Sequence, residues 1–456
     1  MPDSAAPAQL PPVQDAAQLA AAPATPAAPA APAAPATAQL TPAPPAAREA
    51  ERVKVRGPLL RLLLCLVPAN LSLYVLWGAI PTVLLPLQVN AIDPGDKVGA
   101  LATVSTVGAV AAMVAQPLAG AVSDRTRSRF GRRAPWLVAG SLIGGLCLVG
   151  MALANGIVQL AIAWTCVQIA YNFVQAPLSA ILPDRVPVSA RGIFSALGGL
   201  ASMIGAVGGQ VLGASFAQHI GAGYCALAGF SIVMLTLLAV FNGDASNLGT
   251  EREPFNPRAF LRTFWISPTR HPDYFWAFLG RLLLYTGYFA VTGYNLYLLQ
   301  DYIGLGSGAT AQVAALGLIG LAATVPAIVI GGVVSDRLGR RKILVFISSA
   351  LVAAGLVIPW AVPSLTSMYL MAIVVGFGFG AFGSVDQVLM TQVLPSEESF
   401  AKDLGVVNIA ASLPQVLAPT VGGVIVTVFG YAGLFPVGIG LSLLGAFAVF
   451  RIRSVR

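Results

Sequence analysis

The chain has 456 residues, of which 57% are hydrophobic and only 10% are charged, and its net charge is +8. Soluble domains carry roughly 25% charged residues, so this composition excludes an ordinary soluble protein. Apolar stretches of about 18 residues or more recur along the chain, and each can cross a bilayer core of about 30 Å. The composition therefore predicts an all-α integral membrane protein.

Twelve apolar stretches predict twelve transmembrane helices, which we number as spans 1 to 12. They cover residues 59–89, 98–122, 135–154, 157–182, 192–219, 224–241, 274–299, 309–334, 343–360, 365–394, 405–430 and 431–450. An even number of spans places both termini on the same side of the membrane.

The basic residues are concentrated on one side of the predicted membrane. All but two of the 26 Lys and Arg residues flank the termini or lie in the loops after spans 2, 4, 6, 8 and 10. The exceptions are Lys97, on the opposite side, and Arg281, inside span 7. Because positively charged loops stay in the cytoplasm, we expect cytoplasmic termini and a location in the cell membrane. We expect a monomer whose partners are the lipid bilayer and a small molecule, and no nucleic acid.

The chain is predicted to consist of a tail, two six-helix halves and a linker. Residues 1–47 are rich in Ala and Pro, and we expect them to form a disordered cytoplasmic tail. The halves are expected at 48–241 and 274–450, joined by a cytoplasmic linker at 242–273, with a short cytoplasmic tail at 451–456.

A short motif occurs once in each half. Residues 120–125 (GAVSDR) recur as residues 332–337 (GVVSDR), and each copy is followed by Gly-Arg-Arg, at 131–133 and 339–341. Such a repeat indicates an internal duplication of membrane helices. Duplication is the usual plan of secondary transporters, which bind their substrate between the repeats.

Polar and aromatic side chains recur on one face of spans 1, 4, 7 and 10. In span 4, Gln168, Asn172 and Gln175 are spaced so that they share one side of a helix. Buried polar groups cost free energy unless they find partners, so such a face indicates a protein interior or a wet cavity. The candidate substrate-binding residues are Asn70, Tyr74, Trp77, Gln168, Asn172, Gln175, Tyr285, Tyr288, Asn295 and Gln387.

Amides, hydroxyls and aromatic faces suit a neutral, hydroxyl-rich solute such as a sugar better than a strongly charged one. The alternative is that these side chains only hold helices together, since Ser, Thr, Asn and Gln often bond across helix interfaces. We call these one-sided polar and aromatic faces stripes. Because they occur in four spans at related positions, they favour a cavity.

Two charged residues lie well inside predicted spans, Arg281 in span 7 and Asp386 in span 10. Each would cost roughly 2.5 to 3.5 kcal/mol at a helix centre if it had no partner. Their depths are about 11 and 13 Å from the basic side at 1.5 Å per residue, so they could form an ion pair. Protonation of Asp386 would break such a pair, which makes both residues candidates for proton coupling. A static pair that locks two helices together is the alternative.

No catalytic or metal-binding constellation is evident in the sequence. The cysteines lie within predicted spans without metal-ligand spacing, at positions Cys65, Cys147, Cys166 and Cys225. We therefore expect neither an enzyme nor a cofactor, and the proton gradient is the expected energy source.

The paired loops, the twelve spans and the two related halves together resemble the major facilitator superfamily over nearly all of the chain after the tail. The resemblance implies halves that rock between inward-open and outward-open states, while loop residues make and break contacts. The implied gating residues are Asp124, Arg125, Gly131, Arg132, Arg133 and Asp184, and in the second half Asp336, Arg337, Gly339, Arg340 and Arg341. The implied acidic partner in the second half is Glu397, Glu398 or Asp403.

The first loop is longer than the second and resembles a narrower branch of that superfamily. Residues 123–136 (SDRTRSRFGRRAPW) are similar to the loop of the glycoside–pentoside–hexuronide and sucrose-transporter branch. Members of this branch mostly import sugars with protons or sodium. Many of them place acids in helix 1, 2 or 4, and this chain has none there, so any coupling carboxylate is expected to be Asp386.

The sequence therefore predicts a transporter that imports a sugar or another small polar solute by proton symport. Proton-coupled efflux of a drug or metabolite is the alternative. Efflux members of the superfamily often carry a Gly-Pro motif in helix 5, but residues 205–213 contain no proline and residues 418–423 match the motif only in part. A receptor or scaffold would need an additional folded domain, which the featureless tail does not offer.

Overall fold

Long α-helices make up almost all of the described chain. The computed structural model describes residues 55–244, 246–249, 269–393 and 400–453, and the side chains of these residues except 387, 391, 392 and 400–411. The predicted tail at 1–47 and much of the predicted linker lie outside these residues. The predicted domain boundaries therefore stay predictions.

Twelve long helices occur in the described residues, and the predicted all-α fold is confirmed. They are α1 Pro58–Ile92, α2 Lys97–Arg125, α3 Ala134–Ala152, α4 Ile157–Arg185, α5 Val188–Ser215, α6 Ile220–Phe241, α7 Pro272–Thr292, α8 Ala309–Leu338, α9 Arg341–Ala361, α10 Leu365–Gln392, α11 Phe400–Phe429 and α12 Leu434–Ala448.

Several helices extend beyond the predicted spans at the end that carries the basic loops. α2 ends at Arg125 and α4 ends at Arg185, so the acidic and basic residues at these positions are still helical. Hydropathy marks only the apolar part of a helix, whereas the backbone hydrogen bonds continue past it.

Eleven of the described helices are long and apolar enough to cross a membrane. α7 has 21 residues but is not among the eleven. Arg281 and several tyrosines lower its mean hydropathy, and these same residues are candidates for function.

α1 and α7 are irregular, which the sequence analysis did not predict. α1 contains a π-helical turn at Ile80–Leu84, where Pro81 removes a backbone donor. After α7 ends at Thr292, the chain continues as a short helix, Asn295–Tyr297, and a π-helical turn, Leu298–Tyr302. π-helical turns interrupt regular hydrogen bonding and often occur at functional sites.

The helices pack with an approximate two-fold relationship between the halves. In the first half α1 packs on α5 and α6, α2 on α4, and α3 on α4 and α6. In the second half α7 packs on α11 and α12, α8 on α10, and α9 on α10 and α12. The halves meet mainly where α2 packs on α11 and where α5 packs on α8. Each contact thus has a counterpart six helices later, as an internal duplication requires.

Glycines allow α1 and α5 to approach each other closely. A methyl group at Gly209 would collide with the carbonyl oxygen of Val75, and one at Gly78 would collide with that of Ala206. Small residues are enriched in such membrane interfaces because van der Waals packing, rather than the hydrophobic effect, holds the helices together. Gly208 differs from its neighbour, since a methyl group there would meet nothing within 4 Å.

We expect Gly209→Ala to lower the melting temperature of the purified protein, because its methyl group collides with the backbone of α1. Overpacking of this kind costs about 1–3 kcal/mol. The matched control is Gly208→Ala, which gains helix propensity without a collision and should melt at or above the wild-type temperature. Thermal unfolding in one detergent checks both variants. Equal melting of the two would contradict the close α1–α5 contact.

Candidate functional site

The structure brings the two charged residues inside the spans together. Arg281 Nε on α7 lies 3.2 Å from Asp386 Oδ2 on α10, and the two side chains are 9% and 3% exposed. The Arg281 guanidinium also lies 5.4 Å from the centre of the Tyr285 ring. The two charges that are costly in hydrocarbon therefore compensate each other between α7 and α10.

Aromatic rings of α7 and α10 form a continuous surface beside this pair. Tyr288 stacks on Phe379, with ring centres 4.2 Å apart and an interplanar angle of 18°. Tyr285 lies 5.4 Å from Phe379 and 5.8 Å from Phe382 between ring centres. Tyr285, Tyr288 and Phe379 are half-buried, so part of this surface remains accessible. We call Tyr285, Tyr288, Phe379 and Phe382 the aromatic surface.

Sequence reasoning missed both phenylalanines. Positions 379, 382 and 386 follow one face of a helix, so tracing the face through Asp386 would have found them. The face predicted to line the cavity was the one through Gln387. The side chain of Gln387 lies outside the described ones.

In the first half, Trp77 connects α1 with α4. Its Nε1 donates a hydrogen bond of 3.0 Å to Gln175 Oε1. Its ring meets the edges of Trp164 and Tyr171, each with a centroid distance of 6.3 Å. Trp164 and Tyr171 were also missed, because large apolar residues do not stand out in an apolar helix.

The remaining stripe residues bond mainly within their own helices. Asn70 Nδ2 donates to the carbonyl oxygen of Leu66, and Asn172 Nδ2 donates to that of Gln168. Tyr74 and Gln168 are half-buried. These hydrogen bonds do not bridge helices, so helix–helix contact alone does not account for the stripes.

Asn295 lies beyond the break in α7, in the short helix that follows. Its Oδ1 is buried without a hydrogen-bond partner among the described residues. Buried polar atoms normally have partners, so this oxygen is a candidate to accept a hydrogen bond from a bound solute.

Contacts between the halves occur at the end of the bundle opposite the basic loops. Lys97 Nζ at the start of α2 lies 2.7 Å from Asp301 Oδ2, which follows α7. Tyr431 donates a hydrogen bond of 2.6 Å to the same oxygen. Tyr297 donates one of 2.9 Å to the Pro86 carbonyl oxygen. We call Lys97, Tyr297, Asp301 and Tyr431 the Lys97 cluster.

At the basic end, the first copy of the motif forms a compact network within the first half. Arg133 is 6% exposed, and its guanidinium lies 2.7 Å from Asp124 and 2.9 Å from Asp184. Arg132 lies 2.8 Å from the other oxygen of Asp184. Asp184 is thus a partner of both arginines, and the gating role that the resemblance implied for these residues stays a prediction. Because all four residues belong to one half, this network can persist whichever side is open.

The other motif residues differ in their surroundings. Arg125 donates to the carbonyl oxygen of Ala121 in its own helix. Gly131 and Gly339 have φ of 80° and 59°, a left-handed conformation that favours glycine. Asp336, Arg337, Arg340 and Arg341 lie where α8 ends and α9 begins. The implied partners Glu397, Glu398 and Asp403 lie outside the described side chains.

The longer first loop binds the start of the linker. Asn247 Oδ1 accepts a hydrogen bond of 2.9 Å from the Ser128 backbone, and Asn247 Nδ2 donates one of 2.8 Å to the Thr126 carbonyl oxygen. Asp244 pairs with Arg185 at 3.2 Å. The residues that lengthen this loop therefore hold the chain that follows α6. No group of His, Cys, Asp and Glu in the described part of the chain could hold a metal ion.

The model of the Major Facilitator Superfamily matches residues 62–399 and 322–456. No curated protein sequence matches the chain. Among solved structures, a point mutant of the nucleoside transporter NupG has a TM-score of 0.70 at 15% identity, covering 86% of this chain and 99% of NupG. A D-xylose–proton symporter has a TM-score of 0.63 at 17% identity, covering 88% and 98%.

A bacterial homologue of the human lysosomal transporter Spinster, inward-facing and unoccupied, has a TM-score of 0.65 at 14% identity, covering 87% and 95%. At such identities the structural similarity shows the fold alone. The family match shows the family as well as the fold, because it covers most of the chain. The two-fold helix packing agrees with it. The protein therefore belongs to the major facilitator superfamily, a family of transporters, and is a multi-pass membrane protein.

Proposed function

We propose that this protein is a proton-coupled symporter that imports a small polar solute, with a sugar or glycoside as the favoured class. The observation that carries the proposal is the buried Arg281–Asp386 pair beside a half-buried aromatic surface. An ionisable group inside the membrane that pairs with an opposite charge is a common element of proton relays in transporters. The small solute would bind within the membrane between the halves.

The solute would lie among the stripe residues of α1, α4, α7 and α10. Gln175 and Asn295 offer amide groups, and the aromatic surface offers apolar faces that suit the flat side of a ring. A D-xylose–proton symporter and a nucleoside transporter share this fold, which supports a hydroxylated ring as the solute. Residues 123–136 further favour the glycoside–pentoside–hexuronide and sucrose-transporter branch.

We infer that the basic end faces the cytoplasm, because positively charged loops resist translocation. The Lys97 cluster would then close the outer side, and the conformation described here would be inward-open. In an alternating-access cycle the cluster must separate before the outer side can open. The protein would act in the cell membrane as a monomer.

We expect Asp386→Asn to abolish solute-evoked proton entry into liposomes, reducing it to the level of empty vesicles. Asparagine keeps the shape of the side chain but cannot take up and release a proton. Internal pH is followed with a trapped dye while mono- and disaccharides are added outside. Asp96→Asn, an exposed change on the opposite side, serves as the matched control and should keep wild-type proton entry.

Solute counterflow separates proton coupling from a purely structural pair. Counterflow exchanges internal for external solute without net proton movement, so Asp386→Asn should retain it. Equal loss of counterflow and proton entry would favour the static pair. Proton exit on addition of solute would instead favour the efflux antiporter.

We expect Lys97→Gln to shift the equilibrium toward an outward-open conformation. The Lys97–Asp301 side chains are 19% and 35% exposed, so solvent screening limits their ion pair to about 1 kcal/mol or less. That corresponds to a shift of up to about fivefold. The measurement is the rate at which an impermeant maleimide labels Thr106→Cys, since Thr106 packs on Thr420 between the halves.

Two variants serve as controls for this experiment. Lys97→Arg keeps the charge and should label at the wild-type rate. The double exchange Lys97→Asp with Asp301→Lys restores an opposite pair and should reverse most of the increase. An unchanged labelling rate in Lys97→Gln would show that the cluster does not hold the outer side closed.

A further inference from the structure

We propose that residues 419–423 of α11 hold the two halves together at the end opposite the basic loops, and that this contact separates when that end opens. We call these residues the Gly423 segment. The sequence distinguishes them only as part of a partial match to a Gly-Pro motif. The role proposed here depends neither on the solute nor on the coupling ion.

The first argument is the close approach of α2 and α11 at Gly423. A methyl group on this buried glycine would lie 2.5 Å from Ala102 Cβ, which is too close for two carbon atoms. Ala102 belongs to α2 and Gly423 to α11, so the contact joins the halves. The Cβ of alanine is attached directly to the backbone and cannot rotate away. Any side chain at position 423 would therefore push the two helices apart.

A second contact lies one helical turn away. Thr106 Oγ1 on α2 and Thr420 Oγ1 on α11 are 2.8 Å apart, within hydrogen-bond distance. Two contacts one turn apart fix the position of α2 along α11. In membranes, such small residues allow close van der Waals packing, which together with hydrogen bonds between helices drives their association.

Tyr294 supports the Gly423 segment from within the second half. It follows the break in α7, is 2% exposed and donates a hydrogen bond of 2.8 Å to the Pro419 carbonyl oxygen. A methyl group on Gly422 would lie 2.5 Å from the Tyr294 ring, and one on Gly423 would lie 3.1 Å from its hydroxyl oxygen. Gly423 thus has Ala102 and Tyr294 as close neighbours, which leaves no space for an added methyl group.

Other contacts between the halves at this end can adapt more easily. The Lys97–Asp301 pair is partly exposed, so solvent screens it. Where α5 packs on α8, a methyl group on Gly317 would meet the amide of Gln210, which is the end of a flexible side chain and can rotate. The contact at Gly423 is less adaptable, because both partners are fixed to the backbone.

The consequence is a contact that acts on the conformational equilibrium rather than on stability alone. α2 and α11 belong to different halves, so they separate when this end opens. A methyl group on Gly423 then destabilises the closed form and leaves the open form unaffected. Gly209→Ala differs, because α1 and α5 belong to one half and stay in contact in both forms.

The test measures the distance between the halves by double electron–electron resonance in the full-length protein. Spin labels are placed at Asn155→Cys and Ser307→Cys, two exposed positions in loops of opposite halves at this end. The four free cysteines are first replaced by alanine. Gly423→Ala should increase the population with the longer distance. Overpacking shifts such an equilibrium by about five- to a hundredfold.

Exchanging the methyl group between the helices tests whether Ala102 is the partner. Gly423→Ala combined with Ala102→Gly moves the methyl from α2 to α11 and removes the collision. The double variant should restore most of the shorter distance. Gly440→Ala is the matched control, because a methyl group there meets nothing within 4 Å, and its distances should equal those of the wild type.

Two results would overturn the proposal. The first is a Gly423→Ala distance distribution equal to that of Gly440→Ala. The second is an open Gly423→Ala that the exchange with Ala102→Gly does not reverse, which would assign the collision to Tyr294 instead of the other half.

A second pair of substitutions covers the case in which Gly423→Ala does not fold. Thr106→Val combined with Thr420→Val keeps the shape of both side chains and removes their hydrogen bond. It should also increase the longer distance, by a smaller amount, and unchanged distances would contradict the proposal. No solute or proton gradient is applied in these measurements, so their outcome is independent of the proposed function.

Discussion

Hydrocarbon offers neither hydrogen-bond partners nor screening, so every polar group in a membrane protein must be satisfied by the protein itself. This constraint forces the backbone into helices, and it makes the Arg281–Asp386 pair a determinant of how α7 and α10 pack. The aromatic surface adjoins that pair through Tyr285. The polar site thus lies between two helices that otherwise touch little, since α7 packs mainly on α11 and α12, and α10 on α8 and α9.

The fold was predictable because its signals are local. Apolar stretches mark the helices, the basic loops mark one side, and the repeated motif marks the duplication. The pairing of Arg281 with Asp386 was expected from charge and depth, whereas that of the first loop with Asp184 was implied by the resemblance to the superfamily. In each case the predicted region contains few side chains of opposite charge, so few ion pairs are possible.

The parts that were not predicted depend on tertiary contacts. Phe379 and Trp164 are apolar residues in apolar helices, so nothing in the sequence distinguishes them from residues that face lipid. Lys97 is conspicuous in the sequence, but its partner Asp301 belongs to the other half, and no local pattern connects them. The break after Thr292 likewise leaves no signal in hydropathy, although the helical register changes there.

The two halves are related in packing but not in charge. In the first half a neutral contact, Trp77 with Gln175, joins α1 and α4, whereas the ion pair joins α7 and α10 in the second half. The two related halves therefore differ in the chemistry of their polar contacts. Under the proposed function, the first half would offer neutral recognition, and the second half would contain the groups that respond to protons.

Asn247 lies beyond the last residue of α6, yet it hydrogen-bonds to the first loop of the first half. The chain therefore stays bound to the first half beyond the end of α6, at least as far as Asn247. A protein expressed as two separate fragments would keep the loop around Arg133 supported if the chain were divided after residue 249. Division before Asn242 would assign the supporting segment to the wrong fragment. The contact of Asn247 with the first loop, and not the end of α6, therefore decides where such a division would leave the first half intact.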